Sequence, residues 1–299
     1  QLEKRVDLRN VLPKGTYLCP WHEDKRVPNL HIYPDHAYCF ACGKYADSIE
    51  AIQWLYKDGA RLPFQEAIWV MQQHAGDGVV RKDATVVDSR LREWIEEYQD
   101  NLWHNDEAMQ YLFGRGITSP NLIHDLNLGC TVGRGNKPFA ITIPHYDKLG
   151  SPCNLKFRIL PEALERTKEE GKKLSKYWSL PDHKFHTLYP QMYVDAAFTS
   201  KARVVITEGE FDAIILLQHN VPALSLPSGV NSAWPLNELP YEVIWIAFDM
   251  DEAGERTAEK WCSMGRYPNM KRMRWDKTLG KDVTEYMLAR ERQAEESWR

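Results

Sequence analysis

The sequence predicts an α/β multidomain chain: an N-terminal metal-stapled ribbon of small antiparallel sheet plus helices, a mixed α+β middle segment, and a C-terminal open parallel sheet with helices on both faces. Three observations carry that reading. Cys19, His22, Cys39 and Cys42 form a C-x2-H pair and a C-x2-C pair around a sixteen-residue spacer. From residue 89 onward, helical periods give way to short β-branched runs. Beyond residue 200, apolar runs interleave with helical segments, the pattern of a parallel sheet covered on both faces.

With 299 residues and 43% hydrophobic content, the chain is long enough to bury more than one core. The domain expectation is a metal-binding domain at 1–74, a linker at 75–88, a middle subdomain at 89–200 and a C-terminal α/β subdomain at 201–299. Gly76, Gly78 and the polar run behind them mark the linker, which has no helical period. No run approaches the roughly 18 apolar residues of a membrane helix, and residues 1–10 are charged throughout, so a cytoplasmic protein without a membrane partner is expected.

The net charge of −4 argues against a chain held to nucleic acid by an overall positive field. Its distribution says more. Residues 100–205 carry fourteen Lys and Arg against eleven Asp and Glu, and residues 206–299 carry eleven against sixteen. A mildly basic segment beside an acidic one suits a phosphate groove next to a carboxylate metal site, or simply a solvated surface.

The elements follow in order. Leu30 to Phe40 reads as a hairpin between the two ligand pairs. Asp47 caps a helix through Ile49, Ile52, Trp54 and Leu55 that stops at Gly59, and Pro63 starts another that ends before Gly76. Ser89 opens an amphipathic helix with Leu91, Trp94, Ile95 and Tyr98 on one face; Asn105 opens the next, ending near Gly114 and Gly116. Ala140 to Ile143 and Asn154 to Ile159 read as antiparallel strands, and the densely charged stretch from Glu162 to Lys176 as a surface helix or a loop. In the last hundred residues, Arg203 to Thr207, Ala223 to Leu226 and Val243 to Phe248 are strands, with helices from Glu210 to His219 and from Gly254.

Two metal chemistries follow. Three thiols and an imidazole in knuckle spacing suit one closed, tetrahedral, structural Zn²⁺, with His31 and His36 as rivals to His22. Cys130, Cys153 and Cys262 stand apart and read as ordinary buried thiols. Glu208 follows one C-terminal strand, and Asp249 and Asp251 follow another, so all three emerge at carboxyl ends of parallel strands. Clustered carboxylates repel one another unless a cation neutralises them, and their hard oxygens suit Mg²⁺ or Mn²⁺.

The motifs Glu208-Gly209-Glu210-Phe211-Asp212 and Asp249-Met250-Asp251-Glu252-Ala253-Gly254 resemble the Toprim fold shared by DnaG-type primases, topoisomerases and some nucleases. Cys19-Pro20-Trp21-His22 with Cys39-Phe40-Ala41-Cys42-Gly43 resembles the zinc ribbon of the primases. Tyr111-Leu112 with Arg115-Gly116-Ile117-Thr118, and Lys176-Tyr177 with Leu188-Tyr189, resemble segments of the DnaG-type polymerase core. The resemblance spans nearly the whole chain in the family's order, and Lys281 to Tyr286 looks closer to phage versions.

That resemblance implies a primase making short RNA primers on single-stranded DNA from ribonucleoside triphosphates. It also implies a replicative helicase as a fused or separate partner. Glu208, Asp249, Asp251 and Asp282 would hold two or more catalytic Mg²⁺ or Mn²⁺ ions. Arg115, Lys156, Arg158, Lys176 and Tyr177 would meet nucleotide or template, and Lys25, Arg26, His31 and Tyr33 would read the template on the ribbon. Thr284 stands where the family often has a second acid, with Glu285 as a possible substitute. No G-x4-G-K-[ST] phosphate loop occurs, so these residues hold no motor of that kind. The rival expectations are a Toprim nuclease or topoisomerase-like strand cleaver, and a non-catalytic zinc-dependent adaptor for single-stranded DNA.

Overall fold

A computed structural model describes residues 6–12, 17–22, 28–57, 61–74, 89–133, 139–169, 175–181, 183–229, 236, 239–263 and 269–297. The expected linker at 75–88, Gly59, and the candidate readers Lys25 and Arg26 lie outside the described residues. The chain divides into two compact units, the first built from Gln1–Asp88 and the second from Ser89–Arg299 apart from the turn Leu149–Ser151.

In the first unit, a short helix α1 (Leu8–Val11) precedes a three-stranded antiparallel sheet ordered β1 (Leu30–Ile32), β2 (His36–Cys39), β3 (Tyr45–Asp47). The β1–β2 hairpin pairs Leu30 with Cys39 and His31 with Tyr38. Period-2 alternation turns Ala37, Cys39 and Ala46 inward and leaves the intervening rings outward. Asp47 caps α2 (Ser48–Leu55), accepting the Glu50 N–H at 2.8 Å. With α3 (Phe64–His74), α2 buries Ile49, Ile52, Ile68 and Met71.

The second unit holds two sheets. Helices α4 (Ser89–Trp103), α5 (Asp106–Gly114) and α6 (Pro120–Asp125) lead into an antiparallel sheet ordered β4 (Gly129–Cys130), β5 (Ala140–Tyr146), β6 (Pro152–Ile159), β7 (Tyr177–Ser179). Asn105 caps α5 through the Ala108 N–H at 2.9 Å, as expected. Helix α6 was not anticipated, although Ser119 before Pro120 is a cap followed by an N1 proline. The charged stretch after residue 161 begins as a helix, α7 (Pro161–Glu169). Cys130 is buried as expected, but Cys153, near the start of β6, and Cys262, near the end of the helix Glu252–Ser263, are only half-buried.

After α8 (Gln191–Ala197) comes a parallel sheet in the order β11 (Met270–Arg272), β10 (Val243–Ala247), β8 (Arg203–Thr207), β9 (Ala223–Ser225). Helices α9 (Glu210–Gln218) and α10 (Glu252–Ser263) make its crossovers, and α11 (Val283–Ser297) closes the chain. Alternation along β8 sends Val204 and Ile206 into the larger core and Val205 into a second cluster with Ala247, Val283 and Leu288. Both faces of the sheet are therefore covered, and α9 is buried from Glu210 to Leu217, with the carboxylates Glu210 and Asp212 in its first turn. The predicted parallel sheet stands; its edge strand β11 and α11 were not foreseen. No helix among the described residues is long and apolar enough to cross a membrane.

Candidate metal and nucleotide site

The ribbon brings its four predicted donors together. Cys19, His22, Cys39 and Cys42 offer ligand atoms that all lie within 4.8 Å of one another. Cys19 Sγ is 3.8 Å from Cys42 Sγ, and Cys39 Sγ is 3.9 Å from His22 Nδ1. A tetrahedral ion with Zn–S bonds of about 2.3 Å requires sulfurs about 3.8 Å apart, so the set fits zinc in size and chemistry. All six cysteines are free thiols. Burial pushes the Cys19 thiol up to about 12; burial also opposes ionisation of Cys39, but the N–H groups of Cys42 and Ala41 draw its thiol down. His36, the rival donor, instead bonds Asp35 at 2.8 Å.

Beside the knuckles the sheet carries a row of rings. Tyr33 stacks on His36 at 4.5 Å and His36 on Tyr45 at 4.9 Å, while His31 and Tyr38 each meet Phe40 edge-on at 5.0 Å. Phe40 is 61% exposed.

In the second unit the parallel register decides where the carboxylates go. Ala247 pairs with Thr207, so Glu208 and Asp249, one and two residues further on, leave the sheet at the same edge. The Asp249 N–H donates to Glu208 Oε1 at 3.2 Å. Asp251 is turned by its own helix: Gly254 N–H donates to its Oδ1 at 2.9 Å, at the start of α10. Gly254 lies against the Asp249 carbonyl, where a Cβ has no room, so the turn closes only around glycine.

This crowding shows in the titrations. Burial, reinforced by the Asp249 charge, pushes Glu208 up to about 7. Burial also raises Asp249, against the pull of Lys281, whereas the Gly254 N–H and Lys281 hold Asp251 low. A cation already sits there: Lys281 Nζ lies 3.3 Å from Asp249 Oδ2 and 3.0 Å from Asp251 Oδ2. Glu208, Asp249 and Asp251 thus share this edge, with an ammonium meeting Asp249 and Asp251; among the described residues only the Cys3His set brings three or more donors within 4.8 Å of one another.

Asp282 is spent partly on structure, its Oδ1 accepting the Glu285 N–H at 2.7 Å to cap α11. Glu285 Oε2 in turn accepts the Lys281 N–H at 2.7 Å, completing a capping pair. Thr284 donates its hydroxyl at 2.7 Å and its N–H at 3.0 Å to Asp212 Oδ1. Burial and the Asp282 charge push Asp212 up to about 7 against those donors.

The predicted cations come from the antiparallel sheet and the end of α5. Lys156 and Arg158 share one face of β6, and Arg158 pairs across with Tyr177 of β7. Arg158 Nε donates to the Tyr111 hydroxyl at 2.8 Å, and its guanidinium lies 5.0 Å from the Tyr177 ring centre. Arg158 Nη1 and Arg115 Nε are buried without a hydrogen-bond partner, and Arg115 rests over Phe211 at 5.4 Å. Desolvation, then the charges of Arg158 and Arg115, lower Lys176, with Asp282 opposing them. Lys156 is set differently. Its Nζ bonds Glu210 at 2.7 and 2.9 Å and the Pro227 carbonyl at 2.9 Å. Burial alone would raise Glu210, but Lys156 and His145 hold its carboxyl low.

Sequence reasoning missed Lys281, the Asp212–Thr284 pair and Arg272, whose guanidinium bonds the Ile246, Phe248 and Asp249 carbonyls. Only Lys281 had a signal, its place between a glycine and Asp282.

Residues 205–287 match the family model described as Toprim-like. No curated protein matches the chain. Among solved structures, the zinc-binding and RNA polymerase domains of the Aquifex aeolicus primase are similar at 19% identity, covering 98% of this chain and 83% of that one with a TM-score of 0.57. The E. coli primase catalytic core matches at 19% identity over 69% of this chain and 77% of its own, TM-score 0.51. A DnaG primase catalytic domain bound to single-stranded DNA matches at 21% identity over 69% and 78%, TM-score 0.51. The chain thus carries a Toprim-like domain and has the fold of the DnaG-type primases.

Proposed function

We propose that this chain is a DNA primase, a nucleotidyltransferase that builds short RNA primers from ribonucleoside triphosphates on a single-stranded DNA template. The observation that carries the reading is the coexistence, in one chain, of a Cys3His cluster of zinc dimensions and a Toprim-like carboxylate edge. In domain terms it divides into a zinc-binding domain at 1–74, a linker, a polymerase subdomain at 89–200 and a Toprim subdomain at 201–299.

Glu208, Asp249 and Asp251 would hold the catalytic Mg²⁺ or Mn²⁺, with the uncapped oxygen of Asp282 as an outer ligand. Bound there, divalent ions polarise the α-phosphate and neutralise charge on the leaving pyrophosphate. The chain's own residues do the rest. Arg115, Arg158 and Lys176 bind phosphate oxygens; the buried, unpartnered nitrogens of the two arginines are donors aimed at such a ligand. Tyr177 and Tyr111 brace the Arg158 fork so that its donors keep one direction. Lys156, bound to Glu210, orients the strand-to-helix turn after Glu208 rather than meeting substrate. On the ribbon, the outward rings of His31, Tyr33 and Phe40 suit stacking by unpaired template bases. A replicative helicase, fused or separate, is the expected partner, and the cytoplasm of a bacterial cell, phage-encoded or not, the expected location.

The test supplies single-stranded DNA of varied sequence, labelled ribonucleotides and Mg²⁺ or Mn²⁺. Short template-dependent oligoribonucleotides that disappear in Asp249→Asn support the proposal. Shortened DNA would point to a strand cleaver, and binding without either product to an adaptor.

A further inference from the structure

Among the cations at the carboxylate edge, Lys281 is held by its backbone rather than left to roam. Its N–H donates to Glu285 Oε2 and its carbonyl accepts the Met250 N–H, both at 2.7 Å. Met250 lies between Asp249 and Asp251, so the loop bearing Lys281 is clamped to the turn bearing the acids. Gly280, at φ 154°, permits this approach: a Cβ there would meet the Tyr286 nitrogen at 2.5 Å and the Glu285 Cβ at 2.6 Å. The Trp275 indole N–H fastens the same loop at the Gly280 carbonyl, 2.9 Å away.

Oxygen accounting then decides what Lys281 does. Asp251 Oδ1 accepts the Gly254 N–H, and Lys281 Nζ stands on the other oxygen, Oδ2, at 3.0 Å. The second contact of Nζ is Oδ2 of Asp249. A Mg²⁺ ion needs its oxygens at about 2.1 Å, and two cations do not share so small a space. The Lys281 side chain is 58% exposed, so its ammonium can withdraw to water without moving the backbone.

We propose that Lys281 is a built-in placeholder cation, whose ammonium holds the Asp249 and Asp251 oxygens together in the unloaded site and must be displaced before a divalent ion bridges them. The inference rests on the carboxylate metal site proposed above. Its consequence is a raised threshold for metal loading, in exchange for an acidic cluster that does not spring apart when empty.

The experiment uses the zinc-loaded full chain and titrates Mn²⁺, reading the paramagnetic resonance signal of the free ion. Lys281→Met and Lys281→Gln are both made, so that one misfolded variant does not end the test, together with Lys281→Arg and the Asp249→Asn control. Removing the partly exposed ammonium that pairs with both acids should tighten Mn²⁺ binding roughly fivefold in the neutral variants, while Lys281→Arg stays near the parent. Added Mn²⁺ should also raise Tm more in the neutral variants than in the parent. Equal or weaker Mn²⁺ binding in both neutral variants, with the parent still binding and Asp249→Asn not, overturns the placeholder and leaves the metal site standing. Absence of Mn²⁺ binding in the parent removes the metal site, and the placeholder with it.

Discussion

Arg272, at the end of β11, is 4% exposed and reaches across to the turn that carries Asp249 and Asp251. Its Nη1 donates to the Ile246 carbonyl at 3.1 Å and the Phe248 carbonyl at 2.8 Å; its Nη2 reaches the Asp249 carbonyl at 3.3 Å and Glu255 at 2.6 Å. Arg272→Met keeps the apolar stem and removes the fork. The Ile246 carbonyl retains the Met273 N–H at 2.9 Å, and Glu255 retains Arg274 at 3.1 Å. What is orphaned is the Phe248 carbonyl and, more weakly, that of Asp249. Breaking a buried ion pair costs about 3–5 kcal/mol when the partner is left alone; here Glu255 is not alone, so about 3 kcal/mol is expected. In a unit of this size that lowers Tm by roughly 6–12 °C. Urea unfolding gives the free energy, and primer synthesis well below the new Tm should fall more than about tenfold because Asp249 and Asp251 lose their fixed direction. Arg272→Lys should recover little, since an ammonium does not span three carbonyls. A loss under about 0.5 kcal/mol would refute the reasoning and assign the turn to the Met250–Lys281 bond instead.

Three further outcomes are expected. Glu208 is held up to about 7 from 4.5 in the fold, so protonation is favoured by folding: its contribution is present at low pH and lost as pH rises from about 4.5 to about 7 without a divalent ion. The same shift makes Mn²⁺ and a proton compete, so Mn²⁺ affinity should fall as pH drops below about 7, and a flat profile between about pH 6 and about pH 8 would contradict it. Stripping zinc should unfold the sheet of β1 to β3 and abolish template choice, seen as collapse of its amide dispersion while the Toprim-like residues keep theirs; an unchanged ribbon spectrum sinks the structural-zinc assignment. Thr284→Val, which removes the hydroxyl from buried Asp212, should cost about 1–3 kcal/mol in urea unfolding, and Thr284→Asp more, because a second carboxylate would then face buried Asp212. Equal stability of Thr284→Asp would show that the threonine is not the reason an acid is missing there.

Reading from residues alone succeeded where a short-range rule acts. The Asp47 and Asn105 caps were legible because a cap is one side chain on one nearby N–H. The four zinc donors were legible because knuckle spacing is local, and the ends of β8 and β10 because apolar runs stop at acids. Other features had no local trace. Strand β11 is three residues long, Met270–Arg272, and gains its identity only by pairing with β10. The resemblance put Lys156 among the residues that meet nucleotide or template, and nothing local in the sequence showed that its ammonium also bonds Glu210, fifty-four residues away.

The sequence by itself determined the element order, the donor set of the ribbon and the acids at the strand tips, because each depends on spacing along one segment. Only the tertiary structure decided which donor each acid oxygen meets, which cation stands among them and which arginine fixes their turn. Those are outcomes of parallel register and burial: Ala247 beside Thr207 brings Asp249 to Glu208, and desolvation makes every unpaired charge there seek a partner from another element.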